Sequence, residues 1–159
     1  MGTMQQSSPL STGFATNYEQ DLVAWALENA ALLRTGRLDE IDAAHIAEEL
    51  EDLGKSERRA LGSHLRNLVM HLLKWQFQPG LRSGSWRSSI NNARAEIAEI
   101  LEDSPSLGAT ASQLLAKGYD LARRNAISET GLAPSVFPQL NPYSLEQVLS
   151  DDFWPGESA

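Results

Sequence analysis

The chain has 159 residues, 42% of them hydrophobic and 21% charged, with a formal net charge of −8, which suits one domain with its own apolar core. It contains no cysteine, so disulfides, zinc–thiolate sites and thiol nucleophiles are excluded. No apolar run is long enough to span a bilayer and no charged-then-apolar leader opens the sequence, so the expectation is a soluble cytoplasmic protein without membrane association.

Residues 1–16 are rich in Ser, Thr, Gly and Gln without periodicity and read as a flexible tail. A first helix is expected from Asn17, a good N-cap, with Glu19, Gln20 and Asp21 at the positive end of its dipole. Its apolar face reads Leu22, Trp25, Ala26, Asn29 and Leu33, flanked by Tyr18 and Leu32, and Gly36 is its natural stop.

Asp39 or Asp42 then caps a long second helix, which the pattern predicts over residues 42–76. Ile46, Leu50, Leu53, Glu57, Ala60, His64, Leu68, His71 and Trp75 are reached by steps of four and three, a seam of heptad character. A second row, Leu61, Leu65, Leu68 and Leu72, widens the apolar face in the C-terminal half, as for the central helix of a bundle. The seam keeps phase across Gly54, which predicts one continuous or mildly kinked helix of about 50 Å. That length suggests either a kink or an end that pairs with another copy.

The chain breaks at Phe77-Gln78-Pro79-Gly80, and Ser85 is the expected cap of a third helix burying Trp86, Ile90, Ala93, Ile97 and Leu101. A fourth helix starts at Ser104-Pro105, turns Leu107, Ala111, Leu114, Leu115, Gly118, Tyr119, Ala122 and Ala126 inward, and ends at Gly131. The remainder is punctuated by Pro134, Pro138 and Pro142, with a short helix opened by the capping box Ser144-x-x-Gln147. Phe137, Tyr143, Leu145, Val148, Phe153 and Trp154 are too apolar for a free tail and are expected to wrap the bundle. The fold expectation is therefore all-α: a four-helix bundle-like domain at 17–155 with one long central helix and a C-terminal wrapping segment, then a disordered end at 156–159.

Three constellations carry chemistry. Glu57, His64 and His71 occupy seam positions; an ionisable group buried there must be paired, liganded or near an end. Interhelical hydrogen bonds are the ordinary reading. The alternatives are a general base at His64 or His71 assisted by Glu57, or a carboxylate–histidine metal site from Glu48, Glu49, Asp52, His64 and His71. Spacing does not favour the metal, because His64 and His71 are two turns apart on one helix.

The second constellation lies between Arg58 and Ala95, where there is no acidic residue but Arg58, Arg59, Arg66, Lys74, Arg82, Arg87 and Arg94 alternate with Trp75, Phe77 and Trp86. Upstream, Asp39 to Asp52 is an acidic block. This segregation reads first as two blocks that meet, within a molecule or between copies; the alternative is a nucleic-acid or polyanion surface over 58–94, which the acidic total disfavours. The third is the loop before the third helix, where Lys74, Arg82, Ser85 and Arg87 gather; it reads first as a polar loop whose arginines bridge to the acidic half of the long helix, and the alternative is an anion-binding candidate at a helix N-terminus.

The sequence also carries a resemblance. Tyr18-Glu19-Gln20-Asp21 with Trp25, AEELEDLGKSERRAL at 47–61, LLKWQFQP at 72–79, SWRSSI at 85–90, DSPSL at 103–107 and the ending NPYSLEQVLSDDFWP are similar to a bacterial family catalogued as domain of unknown function 29. The resemblance spans residues 18–155 and implies an all-helical bacterial protein; it implies no activity, substrate or cofactor. With no catalytic motif to add, the expected function is a non-catalytic module that binds a protein partner or itself, needing no cofactor.

Overall fold

The computed structural model describes residues 16–157. The expected flexible tail lies almost wholly outside the described residues, as do the last two residues of the expected disordered end. Gly156 adopts φ 79°, and the Glu157 N–H donates to the Trp154 carbonyl at 3.2 Å. Among the described residues the chain is all-α, with five α-helices and three short 3-10 turns. It forms two compact units, dividing between Leu53 and Gly54.

In the first unit, α1 spans Leu22–Arg34. Its cap is Asp21 rather than Asn17: the Asp21 carboxylate accepts from the Ala24 N–H at 2.9 Å. Asn17 instead closes a turn, its side chain accepting from the Glu19 N–H at 3.0 Å. Asn and Asp compete for backbone donors in this way, and the later residue took the cap. At the other end Gly36 is left-handed at φ 72°. The Arg37 N–H bonds to Leu32 O at 3.0 Å and the Gly36 N–H to Leu33 O at 3.1 Å, a Schellman stop at the predicted glycine.

Only Trp25 and Asn29 of α1 are buried. Leu22, Ala26 and Leu33, expected on the inner face, are exposed. Trp25 and Asn29 go inside because each has a polar task there, described below; among the described residues of this unit, no element covers the aliphatic side chains beside them.

The second helix, α2, spans Ala43–Phe77 and is unbroken through Gly54, as the phase of its seam predicts. Both expected rows of α2 reach the core, Leu68 and Trp75 from the seam among them, but they do not share it equally. Leu61, Leu65, Leu68 and Leu72 each have 0% exposure, whereas Glu57, Ala60, His64 and His71 are half-buried flanks. The core of the second unit is centred on the second row, which moves the ionisable seam residues to its edge. Leu50 and Leu53, on the part of the seam within the first unit, are exposed.

After a 3-10 turn at Pro79–Leu81, α3 spans Gly84–Asp103. Its cap is Ser83, whose hydroxyl accepts from the Trp86 N–H at 3.2 Å; Ser85, the expected cap, lies inside the first turn. Pro105–Leu107 forms a 3-10 turn, so α4 begins only at Gly108 and runs to Thr130. Ala111, Leu115, Gly118, Tyr119, Ala122 and Ala126 face inward as predicted, and Gly131 ends the helix at φ 69°.

The C-terminal segment packs as expected. Phe137, Tyr143 and Val148 are buried in the core, and Leu145, Phe153 and Trp154 pack against it. A final short helix, α5 at Leu145–Leu149, opens with the full Ser144–Gln147 capping box. Arginine and tyrosine side chains fix this prolyl segment, which has few backbone bonds of its own. Arg94 donates to Val148 O at 3.0 Å and Phe153 O at 2.7 Å, Arg123 donates to Phe137 O at 3.2 Å and Pro134 O at 2.7 Å, and Tyr119 donates to Pro138 O at 2.6 Å.

Candidate functional site

The polar centre of the first unit is Asp42, at the foot of α2. Its buried carboxylate accepts from the Trp25 indole at 3.0 Å and pairs with His45 Nδ1 at 2.6 Å. Its backbone N–H donates to Asn29 Oδ1 at 2.8 Å, while Asn29 donates to Trp25 O at 3.0 Å. Burial works to raise the Asp42 pKa, but the hydrogen bonds from His45 and Trp25 outweigh it and the net shift is downward. Tyr18 stacks on His45 with ring centroids 4.1 Å apart and donates to Glu49, a bond that pushes the phenol up to about 12. An aspartate three residues before a histidine at a helix start was the available signal, and sequence reasoning passed over it. Chemically the arrangement is a hydrogen-bonded polar clamp between α1 and the start of α2.

Of the candidate metal ligands, Glu49 is thus occupied by Tyr18, and Glu48 and Asp52 are exposed. His64 and His71 belong to the second unit. His71 Nδ1 donates to Asn67 O at 2.9 Å, and burial lowers its pKa. Glu57 is half-buried. Among the described residues, no three His, Cys, Asp or Glu side chains gather to hold a metal ion.

The anion-binding candidates near α3 are engaged with the protein itself. Lys74 is buried, pairs with Glu129 at 2.5 Å and lies over the Trp86 ring at 4.7 Å. Arg82 donates to Trp75 O at 2.8 Å, and Arg87 lies 4.9 Å from the Trp75 centroid and 4.4 Å from that of Trp154. Both guanidinium groups approach Glu157 at 3.9 Å. Ser85 is exposed. The basic and aromatic residues that suggested a ligand surface therefore largely clamp the C-terminal segment, with Arg94 beneath Trp154 at 5.3 Å.

Two of the less fully used surfaces among the described residues bear on function. One is a groove of about 380 Å³ in the second unit, lined by Arg58, Arg59, Gly62, Ser63, Arg66 and Leu114. The other is α1, where Val23 is 70% exposed and Leu27 is 68% exposed.

No helix among the described residues is long and apolar enough to cross a membrane. No curated protein and no solved structure shows a significant match to the chain. The family expected from the sequence blocks is matched directly: the chain belongs to the family described as domain of unknown function DUF29, whose model covers residues 17–154.

Proposed function

We propose that the chain is a non-catalytic helical self-association module, in which α1 receives a second copy of itself. The observation that carries this reading is that α1, LVAWALENAALLR, is apolar on nearly every side, yet only Trp25 and Asn29 are buried. A helix that is apolar all round is stable in water when covered all round. Val23, Leu27, Ala30 and Arg34 fall at four-three-four spacing, a seam suited to a facing helix.

The ends of α1 favour a second copy over an unrelated partner. Glu19 and Asp21 stand at its N-terminal end and Arg34 in its last turn. An antiparallel twofold pairing sets Arg34 of each copy beside the acidic end of the other and opposes the two helix dipoles. The test is sedimentation velocity over a wide concentration range with the full chain and Leu27→Lys. A dimer that Leu27→Lys returns to monomer, at unchanged helicity, supports the reading. A wild-type chain that stays monomeric throughout, or a dimer indifferent to Leu27→Lys, overturns it.

A further inference from the structure

We infer that Arg58, Arg59 and Arg66 form a binding site for a compact polyphosphate ligand, on the groove between α2 and α4. This goes beyond the self-association reading and does not depend on it. In this acidic chain the other arginines of the second unit have defined tasks: Arg82 and Arg87 approach Glu157, Arg94 and Arg123 hold carbonyls, and Arg124 pairs with Asp120 at 2.9 Å. The groove lining, by contrast, contains three arginines and no carboxylate among the described residues. Arg66 donates to the Ser63 hydroxyl at 3.0 Å and Arg58 makes a long contact to Gln113 at 3.4 Å; both partners are neutral.

The groove is also built to hold Arg66 in place. A Cβ on Gly118 would come within 2.6 Å of Arg66 Cγ, so the arginine stem lies across α4 only because residue 118 is glycine. Gly62 leaves the wall of α2 open, its own missing Cβ 3.8 Å from Arg66 Nη1. Arg59 and Arg66 are seven residues apart on one helix, so their stems start about 10 Å apart along it.

Those features select the ligand. Guanidinium groups match phosphate oxygens with paired N–H donors. Among the described residues no aromatic side chain lines the groove to stack a base, and the net charge of −8 repels any long polyanion that extends past the patch. A short ligand with several phosphate groups fits both limits.

The experiment is titration calorimetry of the full chain with inorganic tripolyphosphate at low and high salt. The expected result is one site per chain whose affinity falls with salt. Arg59→Ala should weaken it about tenfold or more, and Arg66→Ala likewise, while Arg124→Ala leaves it unchanged. Arg59 is exposed, so its replacement leaves the packing intact and a loss there reports on binding rather than folding. The inference is overturned if the wild-type chain gives no binding, if Arg59→Ala binds as wild type, or if a hexaglutamate peptide binds as tightly as tripolyphosphate, which would assign the groove to an acidic protein segment.

Discussion

The two halves of α2 use the same residue to opposite ends. Leu61, Leu65, Leu68 and Leu72 are fully buried, while Leu50 and Leu53 of the same helix are 66% and 61% exposed. All six fit an apolar helical pattern, so the pattern alone does not say which of them is covered. In the second unit α3, α4 and the C-terminal segment converge on the leucines; in the first unit α1 meets α2 through the Asp42 clamp and leaves Leu50 and Leu53 uncovered.

The sharpest way to break this comparison is a pair of truncations. Leu68→Ala should cost about 3 kcal/mol in denaturant unfolding, through lost burial and the cavity left behind. Leu53→Ala should stay within about 0.5 kcal/mol in the monomer. Equal costs would mean that the first unit is covered in solution, which would itself favour an associated state.

Arg94 tests whether the C-terminal segment belongs to the core of the second unit. Arg94→Ala leaves the Val148 and Phe153 carbonyls without their donor, and should cost about 2 kcal/mol and speed proteolytic cleavage after residue 137. Wild-type resistance to protease would show that the aromatic side chains hold the segment without the guanidinium.

Gly118→Ala sharpens the account of the groove. The added methyl must displace the Arg66 stem, at about 1 kcal/mol or more, and should weaken tripolyphosphate binding without removing a charge. Unchanged stability and binding would show that Arg66 has another resting place.

The smallest effect concerns His71. Burial is the leading cause of its lowered pKa, opposed by the Asn67 carbonyl, assisted by Lys74 and opposed again by Glu129. The unfolded chain therefore takes up a proton before the folded one as the pH falls. Stability from neutral His71 is fully present above its ordinary value of 6.5 and is lost as the pH drops below it. The contribution should be under about 1 kcal/mol, read as a steeper fall of Tm between neutral and mildly acidic pH in wild type than in His71→Gln.

Elements and their stops were legible in the residues, because local chemistry sets them. Gly36 and Gly131 end helices where left-handed backbone is required, Ser144 and Gln147 cap each other, and four-three spacing carried α2 through Gly54. Caps with close rivals were less so: Asn17 against Asp21 and Ser85 against Ser83 are choices between similar side chains a few residues apart.

The site was less legible still. Lys74, Arg82 and Arg87 have the composition of an anion site, but the carboxylates that engage them and one of the aromatic rings come from Glu129, Glu157 and Trp154, far along the chain. The groove at Arg58, Arg59 and Arg66 depends on a glycine fifty-two residues beyond Arg66.

The sequence by itself determined that the chain is helical, where its helices stop, which family it belongs to and which side of α4 is apolar, since periodicity, capping and turn chemistry act over a few residues. Tertiary structure alone decided which row of α2 is core, which arginines are engaged and which apolar residues remain uncovered. Those outcomes depend on what packs against a side chain, and the packing partners come from distant parts of the chain.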